Sequence, residues 1–362
     1  MKIDCLKILS GVVVLCAFLV GCEPEQNPVD PATDVTVSQV LILNEGSYQG
    51  NNAGITVYDP DAKAVTVDEL YSMANGVRMG DTGQDILVDG DDVYVCVYGS
   101  SYVARLDMSG KNIAQHLFTE EEGQPRYMAV SGDNIYVTLY SGNVAVMDRM
   151  TLDVKKLIGV GSNPEGIVCC DGKLYVANSG WGDDQTISVI DIAREENVQT
   201  IQCAVNPQQF VVVDGNLFLF AYGPYDENWN CPYPVQAVDR ATGVVSDLCN
   251  AIRGTVMGFD KLLLLRNETD WSTYTTTNTF FTYDVTTNTL SASSPFRDAP
   301  DEVLTGSIYM MECDVRTGEV YIGVSDYVTA GTVYRFSATG YLLDKFTVGI
   351  NPSQAAFFGQ TK

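Results

Sequence analysis

The sequence predicts an all-β protein, a seven-bladed β-propeller with four antiparallel strands per blade, and three observations predict it. The first is a repeated second-strand landmark: Leu41-Ile42-Leu43, Tyr94-Val95, Tyr136-Val137, Tyr175-Val176, Phe218-Leu219, Leu263-Leu264 and Tyr321-Ile322. The second is a third-strand landmark that tracks it: Val57-Tyr58-Asp59, Leu106-Asp107, Met147-Asp148, Ile190-Asp191, Val238-Asp239 and Tyr283-Asp284, with Arg335-Phe336-Ser337 last, where the aspartate is lost. The step between copies is about 40 residues, the period of a four-stranded blade. The third lies at the ends. The chain enters at Gln39 on a second strand, and the missing first strand of that blade appears last, over residues 351–358. A blade has two apolar faces and cannot bury them alone, so closure into a ring is the stable solution.

The N-terminal segment precedes the ring. Lys2 and Lys7 give a positive start, and Ile8 to Val20 gives an apolar run short for a bilayer span. Leu19-Val20-Gly21-Cys22 resembles a bacterial lipobox, which implies a signal peptide over 1–21 and lipidation at Cys22. Residues 22–38, with three prolines in Glu23 to Pro31, read as an extended tether, and 39–362 as the propeller. The acidic residues straight after Cys22 resemble a surface-export signal of Bacteroidetes lipoproteins.

Within the ring, the first and second strands of several blades are joined by minimal turns: Asp89-Gly90-Asp91, Ser131-Gly132-Asp133, Asp171-Gly172 and Asp214-Gly215. The third-strand aspartates fall at the same end and are read as turn closers. The closing segment Asn351-Pro352 to Phe358 parallels Asn163-Pro164 to Val168 and Asn206-Pro207 to Val211, which identifies it as a first strand.

Composition narrows the function. A formal net charge of −25, spread along the chain, repels nucleic acid and anionic lipid, so neither is a partner; the membrane is reached through the anchor alone. Seven cysteines follow Cys22, no C-x-x-C pair occurs, and no zinc site is expected; a bridge from Cys231 to Cys203 or Cys249 fits an oxidising compartment. His116, the only histidine, excludes imidazole-built metal centres and a Ser-His-Asp triad. Glu165, Asn178 and Asp81 are the carboxylates and amide that a calcium-dependent lactonase site would enlist. The reading is nonetheless of a binding protein, not an enzyme, with no catalytic cofactor and no metal.

The other face carries the chemistry. Loops between second and third strands are long and aromatic, around Tyr48, Trp181, Tyr222 to Tyr233, Asn267 to Tyr274, and Tyr327; all three tryptophans lie there. Long non-repetitive loops on a rigid scaffold are where function resides. Tyr48, Trp181, Tyr222, Tyr225, Trp229, Trp271, Tyr274 and Tyr327 are the candidate walls, with Asn51, Asn52, Arg78, Asp81, Arg126, Asn178 and Arg266 as polar partners. Inner-strand entrances add Gln84, Gln124, Asn163, Glu165, Gln208, Gln209, Arg253 and Gln354, which either solvate the channel mouth or meet a ligand. Aromatic walls with amide and guanidinium groups suit a large, flat, amide-bearing or hydroxyl-rich ligand.

A resemblance sharpens this. LYVANSGWGDDQTISVIDIAREENVQTI (174–201) resembles the YVTN type of propeller repeat, and the match runs from Gln39 to Phe358. LILNEGSYQGNNAGITVYD (41–59) resembles the first blade of a Bacteroidetes lipoprotein family labelled YncE-like or surface layer protein. That family includes surface-exposed cobalamin binders seated over a TonB-dependent outer-membrane transporter. The resemblance therefore implies an outer-membrane, cell-surface lipoprotein that binds cobalamin or another corrinoid and passes it to such a transporter. Glycan capture and protein docking by the same face remain the alternatives.

Overall fold

Apolar alternation along the second strands dictates a sheet buried on both sides. In blade two, Val93, Val95 and Val97 face one neighbour while Tyr94 and Cys96 face the other, and all five have no solvent exposure. Successive strand residues point to opposite faces, so such a sheet needs another sheet against each face. The computed structural model describes residues 35–224, 227, 231–270, 272–273 and 275–361. Cys22, the signal segment and the tether through residue 34 lie outside the described residues, as do Tyr225, Trp229, Trp271 and Tyr274.

The described residues form seven four-stranded antiparallel sheets, a seven-bladed β-propeller. Blade one joins Val35–Asn44, Gly54–Asp59 and Ala64–Val67 to the C-terminal strand Pro352–Thr361. Blades two to seven follow in chain order, each starting from its inner strand: Gly83–Asp89, Pro125–Ser131, Pro164–Cys170, Pro207–Val213, Arg253–Met257 and Ile308–Asp314. Each inner strand touches the next, and Ile308–Asp314 touches Pro352–Thr361, which closes the ring. The described apolar core divides into seven clusters, each shared by two neighbouring blades.

Closure follows the reading of the termini. Leu41 pairs with Ala356 and Leu43 with Gln354, and Phe358 is buried among blade-one and blade-two side chains. The pairing extends beyond Gln39, since the strand begins at Val35, opposite Thr361.

The turn face is minimal, as its sequence predicts. Asp171 and Gly172 both have positive φ, +49° and +71°, as do Asp214 and Gly215, +45° and +68°, the backbone of a two-residue hairpin turn. Carboxylates of Asp107, Asp148, Asp239 and Asp284 accept from amides of the turns that follow them. In blade seven Ser337 takes the aspartate's place, its hydroxyl accepting from the Tyr341 amide at 3.1 Å.

Two expectations are corrected. The first half of the blade-six segment expected as a loop, Asn267 to Asp270, continues the strand Lys261–Asp270, with Arg266 to Asp270 paired against Thr279 to Thr275 of the strand Thr275–Asp284. Its run of β-branched threonines favours the pleated backbone. The seven described cysteines are free thiols, so Cys231 is bridged to neither Cys203 nor Cys249. Among the described residues no helix is long and apolar enough to cross a membrane.

Candidate functional site at the channel mouth

A repeated irregularity aims side chains at the axis. On entering the inner strand, six blades slip register by a residue, at Gly83/Asp85, Pro125/Met128, Pro164/Ile167, Pro207/Gln209, Ile308/Met310 and at Pro352 opposite Asn44. A bulge turns one side chain out of the pleat. The residues so placed are Gln84, Arg126, Glu165, Gln208, Tyr309 and Ser353. In three blades an Asn with positive φ precedes the proline of that strand: Asn163, Asn206 and Asn351.

A cavity of about 400 Å³ opens there. Among the described residues it is lined by five tyrosines (Tyr48, Tyr98, Tyr127, Tyr222, Tyr309), four glutamines (Gln84, Gln208, Gln209, Gln354), Arg126 and Arg253, with Glu45 and Glu312 among the acids. Rings supply contact area and amides supply both donors and acceptors, a lining for a polar ligand with flat faces.

Arg126 organises one wall. Its Nε and Nη2 both donate to Glu165 Oε2 at 2.8 Å, and its Nη1 donates to Gln84. Its guanidinium carbon lies 4.8 Å from the Tyr98 ring centroid and 4.7 Å from that of Tyr140. Tyr140 donates its hydroxyl to Glu165, so the carboxylate is held on both oxygens. Burial raises the Glu165 carboxyl and Arg126 pulls it back; the guanidinium cannot lose its proton, which makes the pair ionic. On the opposite wall, Tyr309 donates to Glu45, whose carboxyl is raised by burial, and Arg253 donates from Nε to the Ile308 carbonyl at 3.2 Å.

The channel interior keeps two carboxyls with elevated affinity for protons. Burial raises Asp85 to about 6, although the Met128 amide donates to it at 2.7 Å. Burial likewise raises Glu312 to about 7, against the pull of Arg253.

The sequence candidates fall into three groups. Tyr48, Arg126 and Tyr222 line the cavity. Trp181 and Tyr327 lie outside the lining: Trp181 is 74% exposed with φ +55° and meets Tyr140, which packs on Arg126, at 6.1 Å, and Tyr327 meets the lining residue Tyr309 at 5.7 Å. The third group is occupied within the protein. Asn52 accepts from the Ser47 amide, Asp81 from the Gln49 amide, and Arg78 donates to the Asn51 carbonyl, all of which shape one loop. Asn178 is fully buried, donating to Thr186 and Ser188 and accepting from the Gly161 amide, so it holds its loop instead of facing the cavity. Arg266 is exposed over the Phe281 ring, away from the lining.

Sequence reasoning missed Tyr98, Tyr127 and Tyr309. A signal for Tyr98 existed: Tyr98, Tyr140 and Tyr222 each follow directly on a second strand, a tyrosine repeated at one position in three blades. A second cavity, about 710 Å³, lies on the turn face around Arg240 and Phe218. Its arginine is already committed, to the Asp171 carboxylate and the Gly215 carbonyl.

A family described as a domain of unknown function (DUF5074) matches residues 39–222, just over half of the chain. The chain belongs to this family. The DUF5074 match spans blade one through the second strand of blade five and so carries Arg126, Glu165 and Tyr222. No curated protein matches the chain. Among solved structures, a candidate 6-phosphogluconolactonase of Bacteroides fragilis is similar at 15% identity and a TM-score of 0.60, covering 88% of this chain and 98% of that one. A protein of the same description from Bacteroides uniformis matches at 13% identity and 0.60, covering 88% and 99%. The Kuenenia stuttgartiensis hydrazine synthase matches at 19% identity and 0.60, covering 74% and 86%. These likenesses are of fold.

Proposed function

We propose that this DUF5074 propeller is a capture protein: its channel mouth binds a small polar nutrient, a corrinoid such as cobalamin, without bond chemistry. The observation that carries the reading is the cavity itself, five tyrosines and four glutamines brought together by inner-strand bulges and second-strand ends of separate blades. A corrin ring is larger than the cavity; its amide arms would enter between Gln84, Gln208 and Gln354 while its face rests on Tyr48, Tyr222 and the exposed Trp181. The Arg126–Glu165 pair holds its wall in place before binding, which limits the ordering that binding would otherwise cost.

With Cys22 acylated, the propeller would be displayed on the outer membrane and pass its ligand to a TonB-dependent transporter. The deciding experiment is calorimetric titration of the purified propeller with cyanocobalamin. Saturable heat at micromolar protein supports the reading, and absence of heat removes it. Retention on polysaccharide affinity gels in place of corrinoid binding would assign the mouth to a glycan. Palmitate incorporation lost in Cys22→Ser, and co-purification of a large barrel with the wild type, test the anchor and the transporter.

A further inference from the structure

The two arginines of the cavity are not equivalent. Arg126 is committed on all three of its guanidinium nitrogens, to Glu165 and Gln84. Arg253 uses Nε on the Ile308 carbonyl and rests 5.9 Å from the Tyr309 ring centroid, and among the described residues its fork meets no carboxylate at ion-pair distance. Most other arginines are paired: Arg105 with Asp92, Arg149 with Asp89, Arg240 with Asp171, Arg316 with Asp314 and Arg335 with Glu319. Those without an ion pair besides Arg253 are Arg78, Arg266 and Arg297, and each is exposed. Arg253 is instead half-buried in the lining of the cavity, with both terminal nitrogens free of a carboxylate among the described residues.

The acids nearby feel its charge without pairing with it: Glu45 is held by Tyr309, Arg253 pulls the Glu45 and Glu312 carboxyls down against burial, and among the described residues neither comes within ion-pair distance of the guanidinium. What remains is a planar fork of donors in the cavity lining beside Tyr309, the group with which proteins receive a carboxylate or phosphate.

We infer that Arg253 is an anion subsite: it receives an anionic oxygen, of a phosphodiester or a carboxylate, carried by an otherwise neutral hydroxyl- or amide-bearing ligand. The inference rests on the capture reading above and narrows its ligand. The protein's overall negative field repels free anions but is screened over about 8 Å at physiological salt, so selectivity for the anion must come from this contact.

The test pairs each anionic probe with a neutral counterpart at fixed ionic strength. Cyanocobalamin, whose nucleotide loop carries a phosphodiester, is compared with dicyanocobinamide, which lacks it; galacturonate is compared with galactose. Each is titrated into wild type, Arg253→Gln and Arg253→Lys, with melting curves to confirm that the variants fold. The anionic member of a pair should bind about tenfold or more tighter than its counterpart in the wild type, a preference that Arg253→Gln abolishes and Arg253→Lys partly restores. The neutral member should change by less than about threefold. Corrinoids that bind with a ratio untouched by Arg253→Gln overturn the subsite and leave the capture reading standing. Failure of both corrinoids, with galacturonate binding through Arg253, overturns the corrinoid assignment and leaves the subsite. Absence of any discrimination within either pair overturns the subsite.

Discussion

Replacing Glu165 by Gln removes one charge from the most enclosed ion pair of the channel mouth. Its side chain is 5% exposed and that of Arg126 15%, and the contact is 2.8 Å. At an effective dielectric of about 20, two unit charges at that distance attract by about 6 kcal/mol, most of which offsets the desolvation of both ions. The intact pair is thus near neutral, but one partner alone is not: Arg126 would stay enclosed by Tyr98 and Tyr140 with an amide oxygen in place of the carboxylate. The expected loss for Glu165→Gln is about 2–4 kcal/mol in urea unfolding. Arg126→Met combined with Glu165→Leu should recover most of it, because neither charge remains buried. A double-mutant cycle therefore gives a coupling energy above about 1.5 kcal/mol. Glu165→Gln within about 0.5 kcal/mol of wild type, or a coupling near zero, would refute the claim that this pair fixes the wall.

Three further outcomes follow from the same structure. Asp85 and Glu312, raised by burial to about 6 and about 7, keep protons in the folded chain at pH values where the unfolded chain has released them, so stability falls as pH rises from about 4 to about 7. The melting temperature should therefore be higher at pH 5.5 than at pH 8, and Glu312→Gln should flatten the upper half of that slope; identical slopes in both proteins would remove Glu312 as a cause. Truncation before Asn351 deletes the strand paired with Val35–Asn44 and the buried Phe358, a loss comparable to the roughly 5–15 kcal/mol that holds a domain together, so circular dichroism should show global unfolding and not a protein with one frayed blade. Asn178→Ala leaves the Gly161 amide without its acceptor and should destabilise by about 2 kcal/mol while ligand affinity stays unchanged; a loss of affinity without loss of stability would return Asn178 to the binding surface.

The propeller was legible because each blade obeys the same constraints. A sheet buried on both faces favours apolar residues along its second strand, and a two-residue turn favours glycine beside a short polar residue, so the landmarks recur wherever the geometry does. The candidate site was legible only in part. Arg126, Tyr48 and Tyr222 were found because they sit in polar or glycine-rich surroundings. Tyr127 and Tyr309 were missed because each lies at the start of an inner strand beside apolar residues, Met128 and Ala129 in one case and Ile308 and Met310 in the other, where a tyrosine reads as core until the register slip at that point is known. Asn52, Asp81 and Asn178 pose the converse problem, since each bonds within the protein. A short polar side chain in a loop looks the same in sequence whether it bonds to its own backbone or awaits a ligand, and hydrogen-bond geometry alone separates the two.

The account stands most directly on where the ligand sits. Cyanocobalamin affinity measured by calorimetry in Tyr222→Ala, at the channel mouth, and in Val244→Ser, beside the turn-face cavity, separates the two faces. The account predicts a loss of about tenfold or more in Tyr222→Ala, with Val244→Ser indistinguishable from wild type. Unchanged binding in Tyr222→Ala, or a loss confined to Val244→Ser, would contradict it.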